Sequence, residues 1–350
     1  MTDSIPVTAA GFMPQHIGII RLSALGDIVH TLPAFSLLRS TFKTSRITWF
    51  VHPPGARLLA SVEGIDSIET VILKGVSMTE RLKLLKRTVK RYRHCLDLVI
   101  DFQGLIKSAV FAALLGGEKL GFASHDLRER FAAICYSRQA SPFEGSHVID
   151  RNLHLLTPLG IRIPDRTDYA LRITPPDENT AQGKAVSHLA DQAEKPICLI
   201  NLGGNWSTKQ YEPDFWISFL GNLNIGITPL LVWGTPAEQK LAAVIAETSK
   251  VKLAPFLDFS QLIWLISRSR AVVSSDTLAL HLADAVGVPS LGLFGPTDPE
   301  RNGSRLPGSR WIRADVPCDY CYKRECDKMW CTHNLSPIRA AHLANEVLDR

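Results

Sequence analysis

No stretch of this 350-residue chain approaches the ~18 uninterrupted apolar residues of a membrane-spanning helix, so none is expected. The N-terminal MTDSIPVTAAGFMPQ lacks a basic segment followed by an apolar core. A secretion signal is therefore not expected, and the chain should stay in the cytoplasm or touch a membrane only from that side. No two glycines stand at G-x-G spacing, so the dinucleotide fingerprint is missing, which counts against a dehydrogenase. No carboxylate cluster suited to a divalent cation is evident, and no repeat of 20–50 residues occurs. Net charge is only +5, which does not demand nucleic acid, though it suits an anionic partner if the charge is clustered.

What is present is a folded composition, 45% hydrophobic and 21% charged, long enough for two domains. In the first half, apolar runs at Ile17–Leu22, Arg46–His52, Thr70–Leu73 and Asp97–Phe102 alternate with helical patterns. A second set follows at Pro196–Leu202, Pro229–Trp233, Ala271–Ser274 and Ser290–Phe294, with Pro175–Pro176 as a plausible linker. Such alternation predicts two doubly wound α/β sheets in tandem, with ligands at the carboxyl edges of the strands and in a cleft between the two. Of the seven cysteines, Cys95, Cys135 and Cys198 sit in apolar surroundings and are expected to be core residues.

Four stretches carry candidate chemistry. After the first apolar run, Ser23, Ala24 and Gly26 make a tight small-residue turn and Asp27 opens a helical pattern. Asp27 reads either as an N-cap or as an exposed carboxylate ready to take a proton. Pro33 means that this helix is kinked or properly begins near Leu32. In the second half, Gly203-Gly204-Asn205 follows a strand and allows backbone N–H groups to approach a phosphate, with Lys209 close behind. A glycine turn beside a solvated lysine is the plainer alternative. Glu238 follows the strand ending at Trp233, placed for ribose hydroxyls or simply for a helix first turn. Ser274, Ser275 and Asp276 lead into a helix whose free N–H groups suit a pyrophosphate, with Gly287 as its stop and Pro289 beyond. His281 stands one turn into that helix, as a packed histidine or as a ligand.

These pieces together resemble the ADP-heptose-dependent glycosyltransferases. The likeness is carried by RLSALGDIVHTLPA (21–34), DFQGLIKSA (101–109), the segment 121–138, HVIDRN (147–152), GGNWSTKQY (203–211), SSDTLALHLADAVGVPSLGLFGPTDP (274–299) and the cysteine-rich tail. The resemblance implies a GT-B fold: two Rossmann-like domains facing across a cleft, over about 1–175 and 177–334, with a C-terminal helix near 337–350 returning to the first. It implies inverting transfer of L-glycero-D-manno-heptose from its ADP-sugar to a 3-deoxy-octulosonate (Kdo) hydroxyl of the lipopolysaccharide inner core, with no required metal and no cofactor. Asp27 then matches the general base and Lys209 the lysine at the donor phosphate. Gly203, Gly204, Asn205, Thr208, Glu238, Asp276, Thr277, Leu278 and His281 fall in donor-binding positions, and Ser23, Gln103, Lys107 and Arg128 in acceptor-binding ones. The family usually has glycine after its Asp-Thr pair, where this chain has Leu278 and Ala279. A relative using another nucleotide-sugar therefore stays open, and so, separately, does a nucleotide-sugar-binding protein without turnover, which would not require a carboxylate at position 27.

With an anionic lipid, Kdo-lipid A, as the implied acceptor, Arg81–His94 gains meaning. Leu82, Leu85 and Val89 recur at helical spacing among Arg81, Lys83, Arg87 and further basic residues. This basic helix is expected to meet the acceptor or an anionic membrane surface on the cytoplasmic face of the inner membrane, rather than being only a solvated face. Cys318, Cys321, Cys326 and Cys331 supply enough thiols for a metal site, although x4 in the second half departs from zinc-knuckle spacing. A loop of free thiols is favoured over a metal there.

Overall fold

A computed structural model describes residues 13–72, 75–164, 180–191 and 193–349. The chain divides into two compact units, Met1–Leu171 and Arg172–Arg350. The expected linker at 175–176 lies outside the described residues.

The first unit holds a six-stranded parallel sheet of β1 (His16–Ile20), β2 (Arg46–Val51), β3 (Ser67–Thr70), β4 (Leu98–Asp101), β5 (Glu118–Gly121) and β6 (Arg138–Gln139). Its order is β3-β2-β1-β4-β5-β6. The central strands are apolar on both faces because helices cover both: Ile17, Ile19, Ile20, Leu98, Val99 and Ile100 are buried completely. One side of β2 packs Phe50 edge-on to Tyr92 and Phe111, which seats the helices Met78–Tyr92 and Ile106–Leu115.

In the second unit, β7 (Ile197–Asn201), β8 (Thr228–Val232), β9 (Lys252–Leu253), β10 (Ala271–Ser275), β11 (Ser290–Phe294) and β12 (Arg310–Arg313) form a parallel sheet ordered β12-β11-β10-β7-β8-β9. Both orders are the 3-2-1-4-5-6 pattern of the dinucleotide-binding fold. In such a sheet the chain reverses its winding between the first and fourth strands, and loops from those two strands part to leave a crevice. The crevices therefore lie beyond β1 and β4 in one unit, and beyond β7 and β10 in the other.

The C-terminal helix corrects an expectation. Pro337–Leu348 does not return to the first unit's core; its apolar face of Ala340, Ala341, Ala344, Val347 and Leu348 joins the second unit's core beside Phe215, Phe219 and Leu220. It packs on the helix Pro213–Gly221 and on β11. Small alanines permit this close helix-on-helix seat. Asn345 fastens it by accepting from Asn224 N–H and donating to Asn222 carbonyl.

Candidate active site

The crevice of the first unit is organised by Arg21. Its guanidinium donates to the Phe102 carbonyl after β4 and lies 3.1 Å from Asp27 Oδ1. The other carboxylate oxygen, Oδ2, accepts from Ala24 N–H at 3.1 Å. Asp27 is thus not the N-cap: the helix Leu25–Val29 is capped at Ala24, and Asp27 stands at its third residue and reaches back. A separate helix, Leu32–Thr41, carries Pro33 in its first turn, where a missing N–H costs nothing. Asp27 remains 43% exposed on its side chain while both oxygens are held, an orientation suited to accepting a proton from a bound hydroxyl.

Gln103 ties the two loops. Its Oε1 accepts from Leu22 N–H and Ser23 N–H at 3.0 and 3.1 Å. The loop holding Gln103 is itself built on Asp101, buried completely at the end of β4. Asp101 accepts from Gln103 and Gly104 N–H, from Ser108 Oγ and from Tyr136 Oη. Burial pushes the Asp101 carboxyl up, and those four donors offset only part of that. Gly104 has φ +65°, and a Cβ there would come within 2.7 Å of Leu127, so the tight loop requires glycine.

In the second unit, β7 runs into Leu202–Lys209 and β10 into Asp276–Thr277. Lys209 Nζ donates to both the Asp276 carbonyl and Asp276 Oδ2 at 2.7 Å, and lies 4.4 Å from the Trp206 ring centroid. His281 Nε2 is 3.1 Å from Asp276 Oδ1. Burial alone would raise the Asp276 carboxyl, but His281 and Lys209 on either side more than reverse it and hold it well below the usual carboxylate range. A buried ionic cluster is an expensive way to stabilise a fold, which makes this one a functional candidate.

Thr277 caps the helix Leu278–Val286, yet its hydroxyl is turned to Ser274 Oγ and Asn201 Nδ2. That leaves backbone N–H groups at a helix start beside the lysine, a natural place for an anion. Leu278 is the first helical residue and half-buried.

Glu238 does more than sequence spacing indicated. Its Oε2 accepts from Gly234 and Thr235 N–H, and its Oε1 from Gly204 N–H at 3.1 Å. A Cβ on Gly203 would lie 2.2 Å from this carboxylate. Gly203 is therefore small to admit Glu238, and the acid holds the glycine loop in place. Asn205 is exposed. Thr208 is buried; its hydroxyl donates to the Lys323 carbonyl at 2.7 Å, and Ser207 Oγ donates to the Arg324 carbonyl at 3.1 Å. These bonds bring the cysteine-rich strap 318–331 against the lysine loop, with the Arg324 guanidinium 5.4 Å from the Trp206 ring that Lys209 also faces. Sequence reasoning found neither Arg21, Asp101 nor this strap contact.

Of the remaining acceptor candidates, Lys107 and Arg128 are exposed, and Lys83 and Arg87 project from the helix Met78–Tyr92 with Arg81 half-buried. Leu82 is exposed, and the buried seam of that helix runs through Leu85, Thr88, Val89 and Tyr92 instead. Cys318, Cys321, Cys326 and Cys331 are free thiols, and among the described residues no group of three or more His, Cys, Asp or Glu is placed to hold a metal. Cys198 is a core residue, but Cys95 is exposed and Cys135 half-buried, contrary to expectation.

The model for glycosyltransferase family 9 (heptosyltransferase) matches residues 83–330. The chain is 29% identical over 317 residues to lipopolysaccharide heptosyltransferase 1 of Pseudomonas aeruginosa, covering 88% of this chain and 86% of that protein. To the Escherichia coli K12 lipopolysaccharide heptosyltransferase 1 it is 28% identical over 291 residues, covering 80% and 88%. Among solved structures, E. coli heptosyltransferase WaaC with ADP superposes with a TM-score of 0.73 at 22% identity, over 96% of this chain and 100% of that one. E. coli ADP-heptose lipopolysaccharide heptosyltransferase II does so with 0.73 at 16% identity, over 95% and 98%.

Proposed function

The chain belongs to glycosyltransferase family 9, the heptosyltransferases, and we propose that it transfers heptose from ADP-L-glycero-D-manno-heptose to a Kdo residue of the lipopolysaccharide inner core, with inversion and without a metal. The observation that carries this reading is the division of charge between two switch-point crevices. One presents an oriented, exposed carboxylate, Asp27; the other presents a lysine beside a bare helix start, Lys209 and Leu278.

In the proposed reaction Asp27 takes the proton of the acceptor hydroxyl as its oxygen bonds to the anomeric carbon. The anomeric C–O bond to the diphosphate breaks, and its electron pair stays on the departing phosphate oxygen. Lys209 and the helix N–H groups stabilise that growing charge. An ammonium has three hydrogens; two are spent on Asp276, leaving one for a phosphate oxygen. His281 and Asp276 position the lysine, and Glu238 holds the glycine loop while keeping its carboxylate near a ribose. Gln103 and Ser23 frame the acceptor side, with Lys107, Arg128, Arg81, Lys83 and Arg87 offering cations to an acceptor bearing phosphates and Kdo carboxylates. The partner surface is accordingly the anionic cytoplasmic face of the inner membrane.

The test is incubation with ADP-heptose and Kdo-lipid A, scored for ADP release beside UDP- and GDP-sugar controls. ADP release that depends on both substrates is expected. Turnover of a UDP- or GDP-sugar instead would move the donor assignment, as the leucine at 278 allows. Donor binding with no turnover would leave a binding protein.

A further inference from the structure

One group of side chains in the first unit has no role in the chemistry above. The helix Ile106–Leu115 buries Ser108, Ala109, Phe111, Ala112 and Leu115, yet Ile106, Val110 and Leu114, at four-residue spacing on its other side, are exposed. The short 3₁₀ helix Arg130–Cys135 packs on it, joined by Ile106 N–H donating to Glu129 Oε2 at 2.7 Å. That turn buries Ala132 and Ala133 and leaves Phe131 76% and Ile134 80% exposed. Isolated exposed leucines are ordinary in soluble proteins, but large aliphatic and aromatic side chains gathered on packed neighbouring elements are not.

Charge surrounds this apolar group on the same packed elements. Lys107, Arg128 and Arg130 are exposed beside it. The helix Met78–Tyr92, which packs on Ile106–Leu115, adds exposed Lys83, Lys86, Arg87 and Lys90 against exposed Glu80. An apolar ridge within a cationic field is the composition of an interfacial membrane contact: the apolar groups enter the headgroup boundary and the cations meet anionic lipid. A second copy of this chain is the weaker occupant, because a symmetric contact would bring the same cations face to face. Among the described residues no helix is long and apolar enough to cross a membrane, so an attachment through these elements would be interfacial.

We propose that Ile106, Val110, Leu114, Phe131 and Ile134 form a bilayer-insertion ridge that seats the first unit on an anionic lipid surface. This deepens, and rests on, the reading above that the acceptor is a membrane lipid. The ridge begins at Ile106, three residues after Gln103, whose side chain holds the backbone of Ser23 in the Asp27 loop. A bilayer seated on the ridge therefore lies beside the strand edge that carries the proposed base.

The experiment is flotation of the full chain with phosphatidylcholine vesicles, with and without phosphatidylglycerol. The wild type is expected to float with the anionic vesicles only, and less well as salt rises. A Phe131→Ser/Ile134→Ser double variant should bind at least ~10-fold more weakly, with ADP affinity and turnover of a water-soluble Kdo acceptor unchanged. Lys86→Glu/Lys90→Glu should weaken binding while Phe131 and Ile134 stay intact. Equal flotation of wild type and double variant overturns the ridge, as does a wild type that ignores anionic vesicles. A wild type that dimerises through these residues, with the double variant monomeric, also overturns it in favour of a protein interface. Because flotation needs no donor, failure of ADP-heptose turnover with intact flotation would instead strike the proposed reaction and leave the ridge standing.

Discussion

Replacing Arg21 by methionine keeps much of its length and removes the guanidinium. Two contacts go: the bond to the Phe102 carbonyl and the 3.1 Å pair with Asp27. Arg21 is buried, so an unpaired Phe102 carbonyl costs about 1–3 kcal/mol. The ion pair itself adds at most ~1 kcal/mol, since the Asp27 side chain is 43% exposed and screened. Together these are about 1–4 kcal/mol, and at roughly 2–4 °C per kcal/mol for a domain of this size the first unit's melting temperature falls by about 2–16 °C. Activity should fall further than stability. Among the described residues Asp27 then keeps only the Ala24 N–H to orient it, and a displacement of about 1 Å at a reacting group costs up to ~10²-fold. Initial-rate kinetics should show kcat down ~10–10²-fold with KM for the nucleotide-sugar unchanged, because the proposed donor-binding groups belong to the second unit. Arg21→Lys should recover part of kcat, as a single ammonium cannot span both partners in the same geometry. If Arg21→Met turns over within threefold of wild type while Asp27→Ala is dead, Arg21 does not orient the base. If Asp27→Ala is itself active, the base assignment fails.

Four further outcomes follow from the same contacts. Lys209→Ala removes a charge-assisted donor from the proposed phosphate site and leaves Asp276 with His281; ADP affinity by calorimetry should fall ~10–100-fold, and an unchanged Kd would remove Lys209 from the site. Gly203→Ala drives a methyl into the Glu238 carboxylate, so Glu238 must release Gly204 N–H; a loss of about 1–3 kcal/mol in urea unfolding is expected, and a neutral effect would contradict the close approach. Ser207→Ala/Thr208→Val removes all three side-chain bonds to the Lys323 and Arg324 carbonyls, so proteolysis within 318–331 should accelerate and ADP binding weaken, whereas an unaltered cleavage rate would show the strap is held elsewhere. Asp276 titrates below its unfolded value of about 3.9, so its stabilisation is complete above that pH and is lost as pH drops toward its folded value. The stability gap between wild type and Asp276→Asn should therefore shrink as pH falls below 4; a gap that stays unchanged down to pH 2 would refute the assignment.

The parts of the fold legible in the sequence are those where burial writes a continuous apolar run. β1, β2, β4, β7, β8, β10 and β11 were expected within two residues of their bounds, because helices cover them on both faces. β5 (EKLG), β6 (RQ), β9 (KL) and β12 (RWIR) are short or polar and leave no such run. β3 lies about three residues earlier than expected, since the apolar residues after Thr70 continue past the strand. In the site, short motifs exposed Asp27, Lys209, Asp276 and His281, whose partners are loop neighbours in the fold. Arg21 was absorbed into an apolar run, and its partner carbonyl stands 81 positions away. Asp101 was read as a strand end, although its role comes from Ser108 and Tyr136 closing over it. The C-terminal helix shows the same limit: alanines at 340, 341 and 344 announce a close-packed face without saying which surface receives it.

The two units solve one geometric problem with opposite charges. In each, the loop after the sheet's first strand is fastened to the loop after its fourth: Gln103 Oε1 accepts from Leu22 and Ser23 in one, and Lys209 Nζ donates to Asp276 in the other. What each leaves available differs. The first crevice has its cation, Arg21, buried as a support and its carboxylate exposed; the second has its carboxylate, Asp276, buried as a support and its ammonium nearer solvent. An exposed acid needs a partner that gives up a proton, and a half-buried ammonium at a helix start needs one that gains negative charge. Glycosyl transfer from a sugar diphosphate generates both at once, the proton on the acceptor and the charge on the leaving group. A hydrolase would need only water in the first crevice, and the exposed cation of the flanking Lys107 would then have no role. Exchanging Lys107 for glutamate should accordingly spare hydrolysis of the donor while lowering transfer to an anionic acceptor, a split that separates the two chemistries in a single variant.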